Sequence, residues 1–374
     1  MRAVDTDEAQ ARRYHRRQFA LTLVDLLLGV LILVWWSWSG AAAGLAKALD
    51  LRLRSPAAVV AAITLALGAS QTLVTSPLDI VAGFVLPRRA GLLTQTFGSW
   101  LGDRAKGLAI GGLLGLLSVE VVYGLLRWSP DRWWLWASGV LALGIALLTA
   151  VVPVWLVPLF YRLTPLPDGP LKRRLLALAA RVGVPVTGVW VVDQSRKSRT
   201  ANAAVTGLGR TRRILLFDTL LDTFTPDEVE AVLAHELAHQ LHGDIRRGLL
   251  VQGVLTLATF WVASGVLRAG GAWLHLAGPA DVAGLPLFGL VVLAVGLAAL
   301  PAANGWSRHV EHAADRFALE TLPDPEPFIG AMERLATLNL AEREPHPIEE
   351  FFLYSHPPIG RRIAYARQFD RGLT

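Results

Sequence analysis

Five consecutive residues in the middle of the chain combine the side chains best suited to chemistry. His235 and His239 are four positions apart, and Glu236 follows the first of them. In an α-helix, positions four apart lie on one face, so the two imidazoles can bind the same metal ion. Glu236 then lies beside the ion, where it can take a proton from water that the ion activates. The pattern predicts metal-assisted hydrolysis.

A second group of possible ligands lies further along the chain. A catalytic zinc ion usually takes three protein ligands and leaves a fourth position open. Glu311 is an acidic candidate for the third ligand, and Asp315 lies one helical turn after it. Asp315 could accept a hydrogen bond from the second ring nitrogen of a ligand histidine. His309 and His312 compete with Glu311, and spacing alone does not decide among the three.

The segment that carries the first motif has a strong helix-start signal. Thr225 is a suitable N-cap, Pro226 suits the first helical position, and Glu228 completes a capping box. The helix should continue to Leu241. Hydrophobic periodicity and turn residues predict further elements around it. These are helices at 171–182, 304–322 and 326–341, and strands at 186–193, 201–207 and 213–217.

Composition places these elements in a membrane protein. Hydrophobic residues make up 53% and charged residues 18%, with a mean hydropathy of +0.43. A membrane-crossing helix needs ~20 apolar residues. Six segments qualify: 18–39, 57–80, 107–127, 133–157, 249–268 and 284–303. A cleavable signal peptide is the alternative for the first, but its length and its terminal tryptophans favour a membrane span.

Charge and cysteine content exclude several other classes. The net charge is +6, but the arginines gather beside apolar segments and no nucleic-acid module accompanies them. The positive-inside rule therefore explains the charge, and it puts the N-terminus, 88–106 and 172–174 in the cytoplasm. We expect an integral protein of a bacterial inner membrane whose N-terminus and catalytic part are cytoplasmic. The chain has no cysteine, which excludes disulfides and thiolate ligands.

Three segments together resemble a known family. They are His235–His239, the stretch from Asn304 to Asp315, and Ser355–Pro358, in this order. They resemble the integral-membrane gluzincins typified by the type I CAAX prenyl endopeptidase. The heat-shock-associated membrane zinc protease of bacteria is a related branch. The resemblance extends to 202–221, 89–106 and 153–160, of which the last two belong to an N-terminal half that the shorter heat-shock branch lacks.

The resemblance implies a metal site and a base. One Zn²⁺ per chain would be bound by His235, His239 and Glu311, with Glu236 as general base. Asp315 would orient a ligand histidine.

The resemblance also implies roles around the metal. His356 and Arg362 would stabilise the oxyanion, with Arg308 in the same network. The strand edge at Asn202 and Ala203 would hold the substrate backbone. Without the resemblance, Arg362 would be one more basic residue and Asn202 a turn residue.

The expected fold is mainly α, a polytopic α-helical membrane bundle joined to a small α+β metalloprotease domain of the zincin type. We assign 1–158 to an N-terminal membrane domain of about four helices and 159–247 to the first part of the catalytic domain. Residues 248–303 would form two further membrane helices, and 304–374 the second catalytic part. The eukaryotic CAAX proteases have seven spans, one more than this chain.

The expected function is zinc-dependent endopeptidase activity on membrane-associated peptides or proteins. The partners would be such a substrate and membrane lipid, with no nucleic acid; the sequence does not determine an oligomeric state. A catalytically inactive membrane binding or quality-control protein with a relic zinc site is one alternative. A transporter is another, because Asp25, Asp79 and Glu120 lie in or near spans. Whether prenylated CAAX substrates are relevant stays open.

Overall fold

Helices dominate the computed structural model, which describes residues 2–207 and 209–370. In the N-terminal half they are α1 (Arg2–Trp38), α2 (Ala41–Leu53), α3 (Pro56–Ile80), α4 (Leu86–Arg89), α5 (Phe97–Trp128), α6 (Trp133–Val151) and α7 (Val157–Phe160). In the C-terminal half they are α8 (Pro170–Arg181), α9 (Asp218–Thr223), α10 (Pro226–His242), α11 (Asp244–Leu274), α12 (Leu285–Thr321), α13 (Glu326–Leu338), α14 (Pro347–Leu353) and α15 (Ile359–Asp370).

Six helical segments of the described chain are long and apolar enough to cross a membrane. They are Glu8–Trp38, Pro56–Arg89, Phe97–Trp128, Trp133–Phe160, Asp244–Gly271 and Val282–Thr321. Their number equals that of the apolar segments found in the sequence. The helices are longer than the apolar segments read from the sequence. Their polar ends contain Arg and Lys, which have high helix propensity and can lie in water. The sequence did not indicate α2, whose alanines and leucines favour a helix too short to span.

Proline residues change the helical hydrogen bonding without ending the long helices. Between α3 and α4, and again between α6 and α7, the chain forms π-helical turns at Val81–Val85 and Val152–Leu156. Pro153 lies in the second of these turns. Proline lacks the N–H that an α-helix needs, and a wider turn accommodates the missing hydrogen bond. The fourth span therefore continues through Pro153 to Phe160, three residues beyond the predicted end at 157.

The predicted boundary between a membrane helix at 284–303 and a separate helix at 304–322 is wrong. The structure has one continuous helix, α12, across both segments. Pro301 lies inside this helix and removes one backbone donor. Asn304 does not act as a helix cap; its side-chain amide donates to the carbonyl of Phe352 at 2.6 Å. A single rigid element thus connects the membrane to Glu311.

A small mixed sheet lies beside helix α10, which carries His235 and His239. Its strands are β1 (Leu163–Pro165), β2 (Val189–Val192), β3 (Ala203–Thr206) and β4 (Arg213–Phe217), in the order β1-β2-β4-β3. β2 and β4 are parallel, whereas the other two pairs are antiparallel. β1 was not predicted, because three residues ending in proline carry no strand periodicity. β3 lies at one edge of the sheet, where its outer backbone groups can pair with another strand.

Two large apolar cores hold the described structure, one around α10 and one among the membrane helices. In the catalytic half, fully buried leucines of α10 pack against the sheet and against α13; among them are Leu233 and Leu237. This packing fixes the orientation of α10 relative to the sheet. In the membrane half, Trp133 of α6 is fully buried beside Phe260 of α11 and Phe288 of α12.

Candidate metal centre and active site

The start of α10 is built as the sequence predicts. The Thr225 hydroxyl accepts the N–H of Glu228 at 3.3 Å, and the Glu228 carboxylate accepts the N–H of Thr225 at 2.8 Å. Arg334 of α13 donates to the same carboxylate at 2.9 Å. The helix ends at Gly243, whose φ of 69° is a left-handed conformation that glycine adopts without strain. Both ends of the helix are therefore fixed.

Three side chains converge at the face of α10 that carries the histidines. His235 Nε2 lies 3.3 Å from His239 Nε2 and 3.2 Å from one carboxylate oxygen of Glu311. His239 Nε2 lies 3.6 Å from the other oxygen of Glu311. Among the residues that the structure describes, these three form the group of His and acidic side chains able to hold a metal ion.

The geometry fits a tetrahedral metal ion. At bond lengths of about 2.0–2.1 Å, such an ion holds its ligand atoms roughly 3.4 Å apart. The donor separations of 3.2 to 3.6 Å match this value. The Glu311 oxygen that lies 3.2 Å from His235 Nε2, Oε2, is buried and makes no hydrogen bond in the structure. A buried oxygen of this kind is costly unless it has a partner, and a metal ion would supply one.

The two competing ligands point elsewhere. His312 lies against the ring of Tyr365, with the centroids 4.4 Å apart. His309 is exposed on another side of α12. The structure therefore brings Glu311 to the two histidines and leaves His309 and His312 outside the group.

Each histidine of the group also contacts a carboxylate with its second ring nitrogen. His235 Nδ1 lies 2.9 Å from Asp315, and His239 Nδ1 lies 2.9 Å from Asp244. Such contacts fix the ring and direct Nε2 toward a metal. Asp315 was predicted in this position. Asp244 was not, because it reaches His239 only after the chain reverses at Gly243 and starts α11.

Arg362 of α15 is held against Asp315. Its Nε and Nη2 atoms donate to the two oxygens of Asp315 at 2.8 and 2.6 Å, and Nη2 lies 3.4 Å from His235 Nδ1. The guanidinium group is thus a bidentate partner of a carboxylate that is almost fully buried. Arg362 also lines the active-site cavity. One residue therefore both anchors Asp315 and presents positive charge to the site.

Glu236 lies on the cavity side of α10. Burial raises the pKa of its carboxyl group above the ordinary value, and the imidazoles of His235 and His239 partly offset this effect. A raised pKa suits a group that takes up a proton and returns it near neutral pH.

His356 approaches the same group from the segment between α14 and α15. Its Nε2 atom lies 3.3 Å from Glu311, and its Nδ1 atom lies 2.9 Å from the hydroxyl of Ser355. Arg308 does not line the cavity. It donates to the carbonyls of Glu350 and Tyr354 at 3.0 and 2.6 Å, and so holds the segment that leads to His356.

A cavity of about 1070 Å³ opens over the metal group. Asn202 and Ala203 line it at the start of the edge strand β3. The side chain of Asn202 accepts the N–H of Ala203 at 2.9 Å, and the carbonyl of Asn202 accepts the N–H of Phe217 at 3.1 Å. The predicted substrate-binding residues therefore lie in the same cavity as the metal group.

Helix α1 forms another wall of this cavity, which the sequence did not predict. His15, Gln18, Phe19 and Thr22 line it, at the spacing of one helix face. His15 Nε2 also contacts the carbonyl of Leu340 at 2.8 Å. The spacing of these residues was visible in the sequence, but nothing local indicated that the face meets a catalytic domain so distant along the chain.

Comparison with known proteins assigns both halves of the chain. Residues 165–370 match peptidase family M48. Residues 3–162 match a family described as CAAX prenyl protease N-terminal, five membrane helices. In the structure this second region contains four helical segments of spanning length, together with the shorter helix α2.

Individual relatives and one solved structure agree with these two family matches. The chain is 31% identical to an uncharacterised metalloprotease of Bacillus subtilis, YhfN, over 79% of this chain and 70% of the relative. It is 30% identical to CAAX prenyl protease 1 of Saccharomyces cerevisiae, over 79% and 69%. The crystal structure of S. mikatae Ste24p superposes with a TM-score of 0.86 at 25% identity, over 97% of this chain and 89% of that one. The chain belongs to peptidase family M48 and is an integral-membrane metalloendopeptidase related to the CAAX prenyl proteases.

Proposed function

We propose that this endopeptidase uses one zinc ion per chain, bound by His235, His239 and Glu311. The observation that carries the proposal is the convergence of two imidazole nitrogens and one partnerless carboxylate oxygen at tetrahedral spacing. Two histidines and one glutamate are a donor set that catalytic zinc sites use, and they leave one coordination position open. The contacts of Asp315 and Asp244 with the ligand rings further support it.

The side chains around the metal suggest how a peptide bond is hydrolysed. When bound, zinc acts as a Lewis acid that makes water a stronger nucleophile at neutral pH. Glu236 removes a proton from the attacking water and then delivers it to the leaving amine. Its raised pKa supports this double role. His356 and Arg362 donate toward the oxygen on which negative charge develops, where positioned donors stabilise the transition state.

The substrate is proposed to bind as an added strand along β3. Asn202 and Ala203 line the cavity, and β3 has β4 on one side only. Backbone pairing at such an edge holds a peptide in extended form and is largely independent of its sequence. Arg308 contributes indirectly, by holding the segment that leads to His356.

The substrates are proposed to be membrane-associated peptides or proteins. The yeast relative is named CAAX prenyl protease 1, which makes C-terminal CAAX segments the first class to test. The distribution of positive charge supports a bacterial inner membrane, with the N-terminus and the catalytic part in the cytoplasm. We propose 1–158 as the N-terminal membrane domain, 248–303 as two further membrane helices, and 159–247 with 304–374 as the catalytic domain.

Glu236→Gln tests the proposed chemistry. The wild-type protein and the variant are purified in detergent, their metal content is quantified, and their cleavage of a peptide library is compared. We expect about one zinc per chain in both proteins and a loss of turnover of about 10²–10⁴ in the variant, because only the proton transfer is removed.

Glu230→Gln is the matched control, because Glu230 lies on the same helix but pairs with Arg174 outside the cavity. It should retain wild-type cleavage. Equal cleavage by Glu236→Gln and wild type would contradict the role of Glu236. Absence of zinc from both proteins would contradict the metal assignment.

A further inference from the structure

The short helix α14 carries an apolar face that the described residues leave uncovered. Ile348, Phe351 and Phe352 are 64%, 51% and 45% exposed. At 100° per residue, the three side chains lie on one side of the helix. Glu350 lies on the opposite side, buried and paired with Arg361 at 2.8 Å. A contiguous exposed patch of large apolar side chains marks an interaction surface.

The contacts of α14 with α12 indicate the depth of this face along the membrane normal. Residues 285–303 of α12 contain no charged side chain. Directly after them, Asn304 donates to the carbonyl of Phe352 and Arg308 donates to the carbonyl of Glu350. At a rise of 1.5 Å per residue, these two anchors are roughly 6 Å apart along the helix. α14 is therefore attached where the apolar part of α12 ends, at the boundary of the hydrocarbon region.

Helix α1 indicates the same depth for α14. Leu353, the last residue of α14, lines the active-site cavity together with Phe19 and Thr22 of α1. Those two residues lie in the first turns of the apolar segment 18–39 of α1. α14 is thus anchored to α12, and shares the cavity lining with α1, where each of these two helices changes from polar to apolar.

We propose that the outward face of α14 (Ile348, Phe351 and Phe352) inserts into the lipid headgroup region beside the mouth of the active-site cavity. Phenylalanine and other apolar side chains on one face of an interfacial helix enter a bilayer by about 5–10 Å. The contact docks the catalytic domain on the bilayer surface. A peptide emerging from the membrane then reaches the cavity along Leu353. This binding surface does not depend on the proposed chemistry.

Depth-dependent fluorescence quenching tests the proposal. The chain contains no cysteine, so a single introduced cysteine can carry an environment-sensitive fluorophore. Phe351→Cys and Ile348→Cys report on α14. Leu31→Cys, 52% exposed within the first span, is the membrane reference. Asp168→Cys, whose native side chain is 95% exposed outside the spans, is the aqueous reference.

Each labelled protein is reconstituted into phosphatidylcholine and phosphatidylglycerol vesicles. The lipids carry spin labels either near the headgroup or near the chain end, and aqueous iodide is tested separately on both sides of the membrane. We expect the α14 probes to be quenched most by the shallow label and little by iodide. Leu31→Cys should respond most to the deep label, and Asp168→Cys to iodide alone. Metal content and monodispersity show that each variant is folded.

Two outcomes would overturn the proposal. If both α14 probes respond to iodide as Asp168→Cys does, the face lines water and not lipid. If neither lipid label nor iodide quenches them, a second protein copy covers the face. Because metal content is measured on the same samples, failure here is distinct from failure of the zinc assignment.

Discussion

At the scale of single residues, the two histidines proposed as metal ligands each have contacts at both ring nitrogens. Asp315 and Asp244 contact the Nδ1 atoms, and the Nε2 atoms meet at Glu311. Asp315 is itself neutralised by the bidentate contact from Arg362. This pairing offsets part of the free-energy cost of burying the carboxylate, which stays in place to orient His235.

Asp315→Asn should weaken zinc binding while leaving the ligands in place. Loss of an outer carboxylate commonly lowers metal affinity about 10–100-fold, because the ligand ring is less basic and less well oriented. Competition titration with a chromophoric chelator measures the change. Glu320→Gln, a surface carboxylate of the same helix paired with Arg316, is the control and should keep wild-type affinity. Unchanged affinity in Asp315→Asn would contradict the orienting role.

His356→Ala should lower kcat with little change in metal content. Removing one donor to a developing oxyanion typically costs about 10²–10³ in rate. Steady-state kinetics with a cleaved peptide separate kcat from KM. His309→Ala is the matched control, because His309 is exposed on α12 outside the metal group. If His356→Ala loses zinc instead, His356 is a ligand; if His309→Ala loses it, the assignment of Glu311 fails.

At the scale of elements, α10 positions both histidines and the base because its two ends are fixed. The capping box at Thr225 and the left-handed Gly243 leave little freedom for fraying. Arg334 ties the same cap to α13, so the start of the catalytic helix is joined to the apolar core.

Thr225→Ala should lower stability with no direct effect on the chemistry. Loss of an N-cap hydroxyl costs about 0.5–2 kcal/mol. The temperature of half-inactivation of zinc-loaded protein in detergent should fall, while the initial kcat stays at the wild-type value. Thr337→Ala, which removes a hydroxyl bonded only within its own helix at the surface, serves as control. A shift as large in the control would show that the cap itself is not responsible.

At the scale of the whole molecule, membrane and catalytic parts share elements. α12 begins in the apolar core around Trp133, and its last turns carry Glu311 and Asp315 of the proposed metal site. α1 lines the cavity with the start of its membrane segment. The metal site is therefore held directly by membrane helices, not by a domain on a flexible linker.

Cysteine accessibility tests the orientation. By the positive-inside rule, the loop at Asp131 should face outward and the loop at Asp168 the cytoplasm. In intact cells, a membrane-impermeant maleimide should label Asp131→Cys but label Asp168→Cys only after permeabilisation. The cysteine-free wild type is the blank. The reverse labelling pattern would show the opposite orientation.

The sequence by itself determined the features that local geometry controls. A spacing of four places His235 and His239 on one helix face wherever the helix lies. The length of the apolar segments predicts six membrane-spanning helices, because a helix satisfies its own backbone hydrogen bonds in lipid. The capping box at Thr225 is equally local.

Only the tertiary structure decided how distant segments meet. It selected Glu311 over His309 and His312, brought Asp244 to His239, joined two expected helices into α12, and placed α1 in the cavity wall. Each outcome depends on packing between elements far apart in the chain. Local periodicity shows which residues share a helix face. Which other element packs against that face depends on the apolar surface that both elements bury, and this cannot be read from either segment alone.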